Sequence, residues 1–161
     1  MIARLRPKRG RDDGASAVEL ALVLPILFLL IFGIISFGLY FAGALGLSNA
    51  TREAARYGVV QNRTCADIAQ SLQSTSSGTL GVVYPMTFTI TRGTASCGGT
   101  IASNGAISYS SGSQSTIMCT GSTPTTDELR VQATAGANIF IPTMVIDLDL
   151  SGKGAYRCEF S

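Results

Sequence analysis

The sequence predicts an α+β protein in which a long N-terminal α-helix continues into a small domain with an antiparallel sheet. Apolar residues make up 46% of the 161-residue chain, and much of this content lies between Ala15 and Leu47. The rest is rich in Ser, Thr and Gly, with short segments of alternating apolar and polar residues. The chain therefore divides into a basic leader (residues 1–14), a helix (15–60) and a domain (61–161).

The helical segment has the length and composition of a membrane anchor. No charged residue occurs from Leu20 to Thr51, a run that spans about 48 Å as a helix. A bilayer core of about 30 Å needs only about 20 residues, whereas a signal-peptide apolar region has about 7–15. The run therefore predicts one transmembrane helix rather than a simple secretion signal. Pro25 is expected to kink this helix or to mark the start of its regular part near Ile26.

Basic residues before the anchor predict its direction. Residues 1–11 contain five of the twelve Lys and Arg residues. The positive-inside rule therefore places residues 1–14 in the cytoplasm and the domain outside the cytoplasmic membrane, although Arg52 and Arg56 follow the span. Without residues 1–14 the chain has seven Lys and Arg against eight Asp and Glu. No basic patch remains to bind nucleic acid.

The composition gives no support for an enzyme. The chain has no His, which excludes a His-dependent catalytic triad and a His-ligated metal site. Ser and Thr are plentiful, but no base is available to activate one in the usual way. Asp147 and Asp149 alternate on a predicted strand, where two acids more often form a solvated face than a calcium site. We therefore expect no catalytic residue, no cofactor and no metal.

The carboxylate of Glu19 lies directly before the uncharged run, five positions after Gly14. A charge at mid-membrane costs about 2.5–3.5 kcal/mol on insertion scales and less near the interface, so a bare anchor would gain by losing it. If the chain were cut after Gly14, the new amino group of Ala15 and the Glu19 carboxylate would be i,i+4 neighbours on one helical face. The two charges could neutralise each other, or Glu19 could meet the amine of a neighbouring copy and set its register. The simpler alternative is an interfacial Glu without a role.

Three segments resemble the TadE-like pseudopilins of tight-adherence (Flp-type) pili, relatives of the type IV pilins. The residues Gly14-Ala-Ser-Ala-Val-Glu-Leu-Ala-Leu-Val-Leu-Pro25 are similar to the opening of that family. The residues Asn49-Ala-Thr-Arg-Glu-Ala-Ala-Arg-Tyr-Gly58 resemble its second segment, and Gly154-Ala-Tyr-Arg-Cys-Glu159 resemble its closing strand. Leu20 departs from the pattern, since tight-adherence prepilins usually carry an aromatic residue after the Glu.

The resemblance implies a minor pilin or pseudopilin that takes part in assembly of such a pilus. A prepilin peptidase would cut between Gly14 and Ala15, and Glu19 would become the fifth residue of the mature chain. The implied partners are this peptidase, other pilins of the system, the inner-membrane assembly platform and the lipid bilayer. The alternative is an unprocessed, membrane-tethered adhesin or receptor that uses residues 98–118 to bind a target.

The helix carries a row of small residues four positions apart. This spacing lets helix backbones approach closely in lipid. We expect the row to pack against neighbouring helices, and it consists of Gly38, Ala42, Gly46, Ala50, Ala54 and Gly58. Beyond the membrane the helix is expected to continue to about Val60, with an apolar stripe from Leu47 to Tyr57 under the domain.

The outer domain is predicted to contain a short helix and four strands. Thr64 is placed to cap the helix, with Asp67 at the capping-box position. Pro85 indicates that the first strand lies at an edge of the sheet. Alternation predicts strands over residues 82–91, 129–135, 146–150 and 156–160.

Four cysteines follow residue 60, and no two are close enough for a CxxC pair. An even number in an extracytoplasmic domain predicts two disulfides, although four cysteines allow three pairings. We favour Cys97 with Cys119, across the base of a Gly/Ser-rich surface loop, and Cys65 with Cys158.

Overall fold

A computed structural model describes residues 12–60, 62–120, 128–141 and 144–158. These residues form an α+β arrangement of one long helix, one short helix and an antiparallel sheet, so the predicted fold class is confirmed. The helices are α1 (Asp12–Gly58) and α2 (Cys65–Ser76). The strands are β1 (Val83–Arg92), β2 (Ala95–Ile101), β3 (Ile107–Ser111), β4 (Glu128–Ile141) and β5 (Met144–Arg157), in the sheet order β3-β2-β1-β4-β5.

Helix α1 runs through Pro25 without a break. It has 47 residues, about 70 Å of helix, and ends at Gly58 rather than Val60. Its regular part therefore does not start near Ile26. A proline removes one N–H donor, and a long apolar helix tolerates this loss because the turns on either side remain bonded. Most of the basic leader lies outside the described residues.

Strand β1 is the central strand of the sheet, so its predicted edge position is wrong. It pairs with β2 on one side and β4 on the other. Pro85 lies between Val83 and Thr87, where the register with β4 shifts, and just before the pairing with β2 begins at Met86. Proline is tolerated at such irregularities as well as at edges, because no ladder N–H is needed there.

The segment expected to be a surface loop contains the β2–β3 hairpin. Few of its side chains are large, and Gly98 and Gly99 occupy the middle of β2, where backbone groups rather than side chains hold the pairing. Residues 113–119 then run beside the start of α2. Cys65 N–H donates to the Thr116 carbonyl at 2.8 Å, and Met118 N–H donates to the Arg63 carbonyl at 3.1 Å. The loop prediction is therefore wrong, because backbone pairing fixes most of the segment.

The strands predicted over 146–150 and 156–160 belong to one continuous strand, β5. It pairs with β4 from Glu128↔Arg157 to Ile141↔Met144. Gly152 and Gly154 interrupt the apolar alternation between the two predicted segments, but α1 fills the space that side chains would occupy. Phe160 lies outside the described residues.

One face of the sheet packs against both helices and forms the core. In β1, Met86, Phe88 and Ile90 are buried and alternate with Thr residues, as predicted. The face that α2 buries also matches the prediction, with Cys65, Ile68, Ala69 and Leu72. The predicted capping box is present: Thr64 N–H donates to Asp67 Oδ2 at 2.9 Å, and Asp67 N–H donates to Thr64 Oγ1 at 3.2 Å.

The domain contains two disulfides, but their predicted pairing is wrong. Cys65 bonds to Cys97 and Cys119 bonds to Cys158, with Cα–Cα distances of 6.5 and 5.7 Å. Because Cys97 lies on β2 rather than at the base of a loop, it faces the start of α2. The segment that crosses beside α2 carries Cys119 to the end of β5, where Cys158 follows.

Candidate functional site

The N-terminal part of α1 projects from the domain with its apolar side chains exposed. The exposed large apolar residues between Val18 and Phe41 have exposed fractions of 38–73%. In the most apolar 18-residue stretch, of mean hydropathy 2.9, only 6% is buried within the chain. The core helix of a soluble protein would instead be mostly buried. Among the described residues, α1 is thus the one helix long and apolar enough to cross a membrane.

The C-terminal part of α1 lies directly on strand β5. A Cβ added to Gly43 would lie 2.9 Å from Leu150 Cδ1, and one added to Gly152 would lie 2.6 Å from the Leu47 carbonyl oxygen. A Cβ on Gly154 would lie 2.8 Å from Arg52 Cα. Because glycines on both elements lack side chains, the helix and the strand can approach closely. We call these contacts the α1–β5 seam. The seam fixes the direction of the anchor relative to the sheet.

Gly14, Ala15 and Glu19 all lie on the projecting part of α1, and all are exposed. A Cβ on Gly14 would meet nothing within 4 Å. No described residue pairs with the Glu19 carboxylate, which borders a shallow depression together with Ser16, Leu20 and Val23. The carboxylate is therefore free to meet a group outside this chain, or a new amino group at Ala15 one helical turn away.

The row of small residues winds around α1 instead of forming one straight face. A spacing of four residues advances about 40° per step relative to the 3.6-residue turn. Gly38 and Ala42 are exposed, Gly46 touches Thr79, and the last three members (Ala50, Ala54 and Gly58) are buried under the domain. Only the first two therefore remain available to a neighbouring helix.

Three charged residues on the C-terminal part of α1 point away from the domain. Arg52, Glu53 and Arg56 are exposed, and within the described ranges none of them forms an ion pair. Nearby, the Arg63 guanidinium lies 4.4 Å from the centre of the Tyr57 ring. The fold does not use the three charges, so they are available for contact with another protein.

Sequence reasoning missed the α1–β5 seam, although it singled out the two acids beside it. Asp147 and Asp149 are exposed on β5, and among the described residues no cluster of three His, Cys, Asp or Glu could hold a metal ion. The signal for the seam was present as Gly152 and Gly154, spaced two apart like residues on one face of a strand. Their separation from the glycines of α1 along the chain concealed the contact.

The fold and the exposed helix define a class: α+β proteins with a small sheet domain on one long N-terminal helix that can span a membrane. Within that class, the family model for TadE-like proteins matches residues 14–56, which confirms the resemblance over that segment and associates the chain with tight-adherence pilus systems. The match covers the projecting helix and the α1 side of the seam, but not β5. Neither a curated protein nor a solved structure matches the chain.

Proposed function

We propose that this protein is a minor pilin, or pseudopilin, that enters a tight-adherence pilus through its N-terminal helix after a prepilin peptidase cuts between Gly14 and Ala15. The observation that carries the proposal is the exposed Glu19 on a projecting apolar helix, five residues after Gly14 and within the TadE-like match. A charge held at this position needs a partner to offset its cost in lipid.

Removal of the leader supplies that partner. The cut turns the Ala15 nitrogen into an ammonium group, which the Glu19 carboxylate of the same chain or of a neighbour can meet. A pair between neighbouring copies favours one axial offset over all others, because any other offset leaves two unpaired charges in an apolar environment. The exposed Gly38 and Ala42 then allow close approach of the adjoining helix.

The same arrangement supports a location for the protein and a set of partners. The basic leader faces the cytoplasm, α1 crosses the cytoplasmic membrane, and the disulfide-bonded domain lies outside, where oxidising conditions preserve the bridges. The partners are the peptidase, other pilins of the system and the inner-membrane assembly platform. Arg52, Glu53 and Arg56 are the charges we assign to contacts with those proteins.

The proposal is tested by the intact mass of the protein extracted from membranes of cells that contain the complete pilus system. We expect loss of residues 1–14, and we expect Gly14→Leu to retain them, because a bulky side chain would obstruct a peptidase at that position. Gly33→Leu is the matched control, since Gly33 is also a helical glycine with nothing within 4 Å of an added Cβ. This variant should be cut normally.

Glu19→Gln separates processing from assembly. We expect the variant to be cut like wild type but to be lost from the pilus fraction, because Gln keeps the shape of Glu without its charge. If the wild-type protein keeps its full-length mass while normal pili form, the result would instead support the unprocessed adhesin. Residues 98–118 offer less to that alternative than the sequence suggested, because the β2–β3 hairpin and the start of α2 hold much of the segment in place.

A further inference from the structure

The contacts of the α1–β5 seam show which residues of the helix and of the strand lie at the same height along the helix axis. Its successive contacts join Gly43 to Leu150, Leu47 to Gly152 and Thr51 to Gly154. Four helix residues rise about 6 Å and two strand residues rise about 6.6 Å, so the two elements run in the same direction and nearly in step. Extended toward the anchor by two strand residues, the same correspondence puts Leu148 level with about residue 39 of α1.

The membrane boundary falls at the same height. A bilayer core of about 30 Å that begins at Ala15 ends near residue 35, and one that begins at Leu20 ends near residue 40. On α1, the face toward the domain stays covered down to Ser36, which is 6% exposed, whereas Ile35 and Phe37 are 53% and 55% exposed. The domain therefore reaches the outer membrane boundary.

Apolar side chains are exposed on the part of the domain at this height. Leu80 is 69% exposed, Val83 39% and Leu148 36%. The height of Leu80 follows from its neighbour Gly81, whose added Cβ would strike the Leu39 carbonyl. We call these three residues, together with the half-buried Ile146, the membrane-proximal rim.

We propose that the membrane-proximal rim rests in the outer interface of the lipid bilayer beside the anchor. The exposed Asp147 and Asp149 alternate with Ile146 and Leu148 along β5. The interfacial layer, unlike the hydrocarbon core, keeps these carboxylates and the backbone groups at the edge of the sheet hydrated.

This second lipid contact rests on the membrane anchoring in the proposed function but not on peptidase processing or pilus assembly. The chain contains no Trp, so a single introduced Trp reports its own surroundings. The purified full chain is reconstituted at low density into phosphatidylcholine vesicles. Its fluorescence is then measured with lipids brominated on the acyl chains and with iodide in water.

The rim reporters are Leu80→Trp, before β1, and Leu148→Trp, on β5, because both side chains are exposed and they sample two different elements of the rim. We expect brominated lipid to quench at least one of them by about twofold or more, with little quenching by iodide, as for a side chain in the interface. Tyr156→Trp is the matched control on the same strand, where Tyr156 is 41% exposed. It should respond to iodide and not to brominated lipid.

Phe28→Trp, on the anchor, distinguishes failure of this proposal from failure of the membrane anchoring on which it rests. If Phe28→Trp is quenched by brominated lipid and both rim reporters respond to iodide alone, the rim lies in water and the inference is wrong. If the rim reporters become shielded only as protein density rises, a second copy of the chain covers the rim, and the inference is also wrong. If Phe28→Trp itself is not quenched, the anchoring fails. Near-wild-type thermal unfolding of each variant confirms that it is folded.

Discussion

At the scale of single residues, the capping box at α2 links a local contact to the pH dependence of stability. The hydrogen bond from the Thr64 backbone N–H is the largest cause that lowers the pKa of Asp67 below its ordinary value of 3.8, and the bond with the Thr64 side chain is the next. Since the folded chain holds the proton less tightly than the unfolded chain, the box contributes stability above the unfolded pKa. This contribution is lost as pH falls through the folded pKa.

Replacement of Thr64 tests the box. We expect Thr64→Ala to lower the free energy of unfolding by about 1 kcal/mol at pH 7, because both hydrogen bonds between the Thr64 hydroxyl and Asp67 are lost. The difference from wild type should shrink as pH falls below 3.8 and through the lowered pKa of Asp67 in the folded chain. Thermal unfolding in detergent, followed by circular dichroism, measures both effects. Thr64→Ser keeps the hydroxyl and should behave like wild type, so a loss as large as that of alanine would contradict this account.

At the scale of elements, the α1–β5 seam depends on missing side chains. Gly152 and Gly154 of β5 meet the helix backbone, and the neighbouring strand β4 presents small buried residues to the same side, Ala133, Ala135 and Ala137. Main-chain atoms on both sides cannot move out of the way as the end of a long side chain could. A methyl group at the seam must therefore push the two elements apart, which costs packing along its whole length.

Gly152→Ala is the direct test of the seam. The added Cβ would lie 2.6 Å from the Leu47 carbonyl oxygen, so we expect a loss of roughly 1–3 kcal/mol in the free energy of unfolding. Gly136→Ala is the matched control in the sheet, since its Cβ would have Val83 Cβ as nearest neighbour at an ordinary 3.5 Å. It should stay within about 0.5 kcal/mol of wild type. Equal effects of the two substitutions would mean that contact with α1 is not what matters at Gly152.

Elements with strong periodicity were predictable from the sequence, and those held by backbone groups were not. The residue types themselves indicate the structural position in three places: the apolar run of α1, the alternation from Met86 to Ile90, and the Thr64–Asp67 cap. The β2–β3 hairpin is built from Gly, Ser and Thr, whose side chains report little about the pairing of their backbones. The placement of β1 was missed because a Pro at a register shift and a Pro at an edge have the same local signature.

At the scale of the whole molecule, the disulfides hold elements together that the hydrophobic core alone joins weakly. Cys65–Cys97 ties the first residue of α2 to β2, and Cys119–Cys158 ties the segment beside α2 to the end of β5. The bridges close intervals of 32 and 39 residues. Each would contribute roughly 2–4 kcal/mol by restricting the unfolded chain. Their positions could not be read from spacing, because the strands that set them were not visible in the sequence.

Tryptic digestion of the unreduced protein tests this connectivity. Cleavage after Lys and Arg leaves Cys97 and Cys119 together in the peptide 93–130, with Cys65 and Cys158 in two others. The observed pairing should give one species of three linked peptides by mass spectrometry. Pairing of Cys97 with Cys119 would instead give two separate species. A further cut after Tyr109 divides the middle peptide, and Cys65 should then remain attached to the half that contains Cys97.

The parallel course of α1 and β5 also has a mechanical consequence. A pulling force applied at the membrane end of the anchor acts along the axis that helix and strand share, so it loads their contacts in shear. From Gly43 to Gly154 the contacts then resist together, whereas a helix held at one point would peel away contact by contact. Tension on the N-terminus is thereby passed along the full length of β5, and through its ladder to the rest of the sheet.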